Sequence, residues 1–205
     1  MVDSSFSNRL NCFDRADMKA KLYGLVLAGV TATSLVAAVV AHAQVDTGKS
    51  SVTATSKQMN VPVDGKFNKF TAQITFDPAK PAAGSANITI DTGSYDLGDA
   101  EYNKEVRGKE WFDSATFPTA TFVSSAIAPA GTANQYKVTG KLTIKGKSQT
   151  VTVPVTVTQQ GATETFDGSL PIKRSQFDVG TGEWKDTSVV ADDVVIKFHI
   201  VAAKK

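Results

Sequence analysis

A chain of 205 residues with 22 Lys and Arg against 20 Asp and Glu carries a formal charge of +2. That balance excludes the strongly basic face of a general nucleic-acid binder and the polybasic run of a membrane-surface anchor. One cysteine and two histidines exclude an internal disulfide framework and leave little for thiol or metal chemistry.

The first elements concern export. Residues 1–17 are polar and hold Cys12. Met18 then precedes Lys19, Lys21 and an apolar run from Leu22 to Val40, which ends in Ala41-His42-Ala43. Charge, apolar run and small-x-small end are the parts of a signal peptide. The expected organisation is an upstream extension over 1–17 with translation starting at Met18, a signal peptide over 18–43, and one domain over 44–205. The apolar run is also long enough to span a bilayer, so an uncleaved anchor is the alternative. Gly24, Gly29, Thr31, Thr33 and Ser34 dilute the run, and its alanine-rich end suits cleavage after Ala43. Cys12 precedes the signal and cannot be a lipid-attachment cysteine. What remains is about 160 residues, enough for one core, with a net charge of about +1 and His199 as its histidine.

The domain reads as strands, because apolar and polar residues alternate with period two. Ser51–Met59 and Val61–Phe67 are the first two. Phe70, Ala72, Ile74 and Phe76 share one face of the third, which Asp77-Pro78 stops. A turn over 81–84 leads to Ala86, Ile88 and Ile90. Asp99 is a candidate N-cap for a helix from Ala100 to Arg107, with Gly108 as a stop and a continuation through Trp111-Phe112-Asp113. Tyr102 and Val106, four apart, share a helix face. Pro118 keeps helix out of the next strand, Thr119–Ile127. Tyr136, Val138, Leu142 and Ile144 line one face of a strand that turns at Lys145-Gly146-Lys147 into Val151, Val153, Val155 and Val157, the clearest hairpin in the chain. Phe166, Leu170 and Ile172 form the next strand, and Val194, Ile196, Phe198 and Ile200 the last. Eight or nine antiparallel strands at short spacing predict an all-β barrel or sandwich.

Catalytic chemistry finds few residues. His199 alternates with Phe198 and Ile200 and is expected to face outward. Asp91, Asp96, Asp99 and Glu101 lack the spacing of a calcium loop and read as a solvated loop with one helix cap. No Gly-x-Ser-x-Gly elbow occurs. Gly180-Thr181-Gly182 lacks a βαβ setting for a dinucleotide and reads as a tight loop. The chain is therefore expected to bind rather than transform, with no cofactor and no metal.

Several segments carry a resemblance. Phe76-Asp77-Pro78, Trp111-Phe112-Asp113 and the run Phe117-Pro118-Thr119-Ala120-Thr121-Phe122 resemble the YceI-like family of periplasmic polyisoprenoid-binding proteins. Val138-Thr139-Gly140-Lys141-Leu142-Thr143-Ile144-Lys145-Gly146 is the strongest match, and 172–180 adds another. The resemblance implies an extended, lipocalin-like antiparallel barrel that holds an isoprenoid quinone, a polyprenyl chain or a fatty amide. It also implies a periplasmic location and no catalysis. Two segments depart from the pattern. Ser51–Met59 has no histidine where many members carry one, and the Arg-Asp pair often seen before the short helix is replaced around Asp99–Asn103.

A barrel makes a sleeve for such a ligand because alternate residues point inward, and apolar burial contributes about 25 cal/mol per Å2. The candidate lining is Phe70, Ile74, Phe76, Ile88, Ile90, Phe122, Leu142, Ile144, Phe166 and Phe198, with Trp111 and Phe112 capping one end. Every small barrel also needs inward apolar residues to fill itself, so the sequence leaves hollow and filled interiors both open. Arg174 is the candidate head-group residue, since a guanidinium can engage a phosphate or a quinone carbonyl. A structural ion pair is the alternative for Arg174 and the preferred reading for Arg107. The expected partner is a long apolar lipid, isoprenoid or similar, with no nucleic acid. The alternative functions are an interaction module that meets an envelope protein and, third, a lipid-processing enzyme.

Overall fold

The alternating segments form one antiparallel sheet of ten strands. They are β1 Ser51–Gln58, β2 Val61–Phe67, β3 Phe70–Thr75, β4 Ser85–Asp91, β5 Tyr95–Asp96, β6 Thr119–Pro129, β7 Gln135–Ile144, β8 Lys147–Gln160, β9 Thr163–Lys173 and β10 Asp193–Ala203. Among the described residues a single α-helix, α1, spans Ala100–Arg107. The computed structural model describes residues 44–203; the upstream extension with Cys12, the start at Met18 and the signal peptide lie outside the described residues. Nine of the strands are those read from the sequence. The tenth, β5, is two residues long and too short to leave a pattern.

The sheet order is β3-β4-β6-β7-β8-β9-β10-β1-β2-β5. Pairing of β10 with β1 sets the last strand against the first, with Ala54 opposite Ile196 and Val52 opposite Phe198. The sheet thereby curls into a half-barrel. Its two edges, β3 and β5, approach at the corner after β2, where the Asn68 N–H donates to the Ser94 carbonyl at 3.2 Å and the Lys69 N–H to Ser94 Oγ at 3.0 Å.

Two hairpins have two-residue turns with both residues left-handed, at Met59-Asn60 and at Lys145-Gly146. That geometry matches the twist of the flanking strands. Asp99 caps α1 as expected, its Oδ1 accepting from the N–H groups of Glu101 at 2.9 Å and Tyr102 at 3.1 Å. The helix does not continue through 111–113. Gly108 leaves it in an extended conformation, and the segment after it runs in hydrogen-bonded turns, such as Trp111 N–H to the Gly108 carbonyl at 3.1 Å. Val106 is buried, but Tyr102, one turn earlier, is 61% exposed.

Apolar side chains of alternate residues fill the concave face. Val138, Leu142, Val153, Val155, Phe166 and Ile200 are all buried. Gly168 pairs with Phe198 across β9 and β10, and the phenyl ring lies where a Cβ on Gly168 would sit. Phe122 covers Gly140 in the same way, and Tyr95 covers Gly65. Bare backbone under each ring lets the aromatic lie along the wall instead of across the bore.

Candidate functional site

Two cavities occupy the interior. The inner one measures about 130 Å3 and the outer one about 260 Å3. Along β1, β7 and β9 the lining passes from one to the other in a single two-residue step. Leu142 lines the inner and Ile144 the outer, Leu170 the inner and Ile172 the outer, Val52 the inner and Ala54 the outer. Ile196 belongs to both walls. The chambers are thus stacked end to end along the barrel axis, with Ile196 at the seam.

The inner chamber is wholly apolar. Ile74, Phe76, Ile88, Ile90 and Phe122 line it from β3, β4, β6 and the residue after β3. Phe166 and Phe198 complete the ring from β9 and β10. At its far end Phe76 meets Tyr136 and Phe166 edge-on, with centroids 4.9 and 5.8 Å apart. Apolar walls of this size keep water out. An empty void of this volume costs the fold about 3 kcal/mol at the usual price per unit volume. A chain that retains it gains from any apolar occupant.

The outer chamber is made from less regular parts. Its walls combine residues of β1, β2, β5, β7, β9 and β10 with α1, the crossing segment 109–117, the 3-10 turn Arg174–Phe177 and the 3-10 turn Gly182–Lys185. Phe67, Tyr95 and Phe112 form an aromatic group with centroids 4.6 to 6.0 Å apart. The Tyr95 hydroxyl donates to the Ala54 carbonyl at 3.3 Å. Burial, with the Asp64 carboxylate second, pushes its pKa up to about 12, so the phenol stays neutral. Ser56 and Gln58 of β1 add a hydroxyl and an amide to the wall.

Arg174 is 3% exposed and lines this chamber. Its Nε donates to the Ala191 carbonyl at 3.1 Å. Nη1 donates to Val179 at 3.0 Å and Gly180 at 2.7 Å. Nη2 donates to Trp184 and Val190, both at 2.7 Å. A guanidinium has five N–H groups, and all five are used on backbone carbonyls. Neither of the expected roles, head-group donor or carboxylate partner, has an N–H left to it. The side chain instead ties the 174–192 connection into one unit, and desolvation lowers its pKa from the usual arginine value.

Two indoles meet here, their planes tilted by 55°. Trp111 and Trp184 stand 5.5 Å apart by centroid. The Trp184 Nε1–H donates to Glu105 Oε1 at 3.1 Å, linking the 182–185 turn to α1. The Trp111 Nε1–H is buried and has no partner. On the opposite side the crossing segment is clamped. The Glu110 carbonyl accepts from the Gly180 and Thr181 N–H groups at 2.8 Å, and Lys145 Nζ donates to the carbonyls of Lys109 and Asp178 at 2.8 Å.

Of the residues read from the sequence as lining, Ile74, Phe76, Ile88, Ile90, Phe122, Leu142, Phe166 and Phe198 meet in the inner chamber. Ile144, Trp111 and Phe112 lie in the outer one. Phe70 borders neither; it sits at the sheet edge beside a shallow polar groove with Lys69 and Thr71. Sequence reasoning left Tyr95, Glu105, Ser56 and Trp184 out of the site. Glu105 had a signal, one position before the buried Val106 on a short helix; the two-residue strand of Tyr95 had none. His199 faces outward and its Nδ1 lies 2.7 Å from Asp167 Oδ1. The acidic loop is spent on local bonds, with Asp91 accepting from Gly93 N–H and Asp96 from Gly98 N–H and Asn103 Nδ2.

A family model described as the YceI-like domain matches residues 44–202. A UPF0312 protein of Yersinia pestis (strain Pestoides F) is 41% identical over 97 residues, which are 47% of this chain and 50% of that relative. The match thus spans half the length of that curated relative. Among solved structures, Burkholderia cenocepacia BcnA is 71% identical with a TM-score of 0.76, covering 78% of this chain and 100% of that one. A polyisoprenoid binding domain from Saccharophagus degradans superposes with a TM-score of 0.67 at 18% identity, over 81% of this chain and 99% of that one. At that identity the likeness speaks to the fold alone.

Proposed function

This chain belongs to the YceI-like family, and from that premise we propose that it is an exported carrier that holds a long apolar lipid along the barrel axis. The tail, an isoprenoid quinone or polyprenyl chain, occupies the inner chamber and its head the outer one. The observation that carries this reading is a wholly apolar void of about 130 Å3 next to a larger, partly polar one of about 260 Å3, with Ile196 in the wall of both. A filled interaction module has no use for a void that costs stability. The Saccharophagus degradans neighbour, with the same fold, is described as a polyisoprenoid binding domain, and an apolar interior suits that ligand class. The signal-like segment over 18–43 supports a periplasmic site of action. The interior presents apolar walls and hydrogen-bonding groups without a nucleophile–base pair, which supports binding over catalysis.

Native mass spectrometry of the domain from Gln44, produced in a bacterial periplasm and followed by organic extraction, tests the proposal. The expected result is a bound species with masses spaced by isoprene units. A protein that is empty and also takes up no added quinone or polyprenyl lipid would sink the carrier reading and favour a module that meets an envelope protein.

A further inference from the structure

We propose that the tip of the β1–β2 hairpin, Met59 with Val61 and the adjoining Val189, seats the mouth of the outer chamber on the surface of a lipid bilayer. The use made of that contact, passage of cargo between membrane and chamber, rests on the carrier reading; the contact itself does not.

Three observations lead there. The first is where exposed apolar surface lies. Among the described residues five large apolar side chains are exposed, those of Met59, Val61, Tyr102, Val123 and Val189. Scattered cases are ordinary, but a group is not. Four of the five gather at one place. Tyr102 lines the outer chamber itself, and Met59, Val61 and Val189 each lie within two residues of the lining residues Gln58, Val63 and Val190. The hairpin tip and the 187–191 segment are one unit, because the Met59 N–H donates to the Val189 carbonyl and the Ala191 N–H to the Lys57 carbonyl, both at 2.8 Å. The second observation is the turn. Left-handed backbone is costly for a residue with neither a short polar side chain nor the freedom of glycine. Among the described residues six other than glycine have positive φ, and four of them are Asn or Asp. The exceptions are Lys145 and Met59. Lys145 has an internal task, its Nζ joining the Lys109 and Asp178 carbonyls. Met59, at φ 47°, is 68% exposed and gains little from burial. Asn or Gly would serve this turn better, so the fold does not account for the methionine. The third observation is charge and size. Residues 58–63 and 187–191 contain no charged side chain. An uncharged apolar tip suits the hydrocarbon boundary of a bilayer, where binding grows with the apolar area inserted. Three part-exposed side chains fall well short of the roughly 800 Å2 per partner of a standard protein interface, a second copy of this chain included.

The test uses the domain from Gln44, which holds all ten strands and lacks the apolar run 22–40. Its binding to phosphatidylcholine vesicles is measured by co-sedimentation at low and at high salt. The domain is expected to sediment with the vesicles, and salt is expected to change this by less than about twofold, because no charge pair is involved. Met59→Asn keeps a residue suited to the left-handed turn. It is expected to weaken vesicle binding by about tenfold, the scale of one apolar side chain withdrawn from the bilayer, while the melting temperature stays level or rises. Val61→Ser should weaken it by about fivefold. Val123→Ser, on β6 and in neither chamber lining, should bind as the unmodified domain does. No vesicle binding, binding that Met59→Asn and Val61→Ser leave unchanged, or binding abolished by high salt overturns the proposal. So does a loss in Met59→Asn that Val123→Ser matches. A concentration-dependent dimer that Met59→Asn breaks, with no vesicle bound, overturns it in favour of a second copy. Uptake of a quinone or polyprenyl lipid without vesicle docking overturns the docking and leaves the carrier reading intact. Docking without uptake of either lipid supports the docking and removes the carrier reading.

Discussion

The two chambers are neighbours on one axis and are held open by different means. The inner one is walled by the regular pleat of long strands, and its shape comes from side-chain alternation and from glycines placed beneath aromatic rings. The outer one adds to the strands a helix, a crossing segment and two 3-10 turns, held in place by polar contacts such as the carbonyl cage around Arg174. Apolar packing tolerates small changes in size but offers no selectivity for polar groups. A polar cage does the reverse: it fixes geometry closely and fails sharply when one member is removed. The inner chamber is thus generic and robust, the outer one specific and brittle.

The sharpest break in that comparison is at Arg174. Arg174→Met leaves five carbonyls without this donor, three of them in buried bonds, and should cost about 3–5 kcal/mol of stability, with Arg174→Lys recovering only part of it. Urea unfolding checks this, and a loss under about 1 kcal/mol for either variant would remove the cage as the element that orders the outer chamber. The next effect is alkaline. The Tyr95 pKa is raised from 10.0 to about 12, so the fold prefers the neutral phenol. Its contribution is fully present below pH 10 and is lost as the pH rises through 12. The expected loss over that window is about 2–3 kcal/mol. Tyr95→Phe should flatten this part of the stability curve, and an unchanged alkaline slope in that variant would assign the loss elsewhere. The smallest effect belongs to the inner chamber. Gly168→Ala sets a methyl against the Phe198 ring, tipping it into the bore at a cost of about 1–3 kcal/mol. Thermal unfolding gives the cost, and a reduced maximum tail length in binding assays gives the displacement. A variant that loses stability but keeps its tail-length limit would show that the ring moves outward.

The inner chamber was legible because period two is its only organising rule. Ile74, Phe76, Ile88, Leu142, Phe166 and Phe198 announce themselves by alternation, and each lines the void. Alternation reports a face and not a depth along the axis. Phe70 shares its face with Ile74 but lies beyond the chambers at the sheet edge. Ile144 shares its face with Leu142 but lies past the seam. The outer chamber was hardly legible. Arg174 meets carbonyls up to 17 residues away, and a carbonyl has no signature in the side-chain sequence. Tyr95 depends on a two-residue strand paired with β2, and the Glu105–Trp184 bond spans 79 residues. Such contacts follow from the fold and cannot be seen before it.

The two sides of the outer mouth are unequal, and this bears on residence time. The crossing segment is fastened by the Gly180 and Thr181 N–H groups on the Glu110 carbonyl and by Lys145 Nζ, which bridges the Lys109 and Asp178 carbonyls, whereas the 182–185 turn meets α1 through the exposed Trp184–Glu105 bond. Breaking that bond costs about 1 kcal/mol at most, while withdrawing each buried methylene into water costs about 0.8 kcal/mol. For an occupant whose tail fills the bore, escape is limited by the length of the cargo and not by the latch. Delivery then depends on an apolar acceptor brought to the mouth, because water alone is too poor a destination.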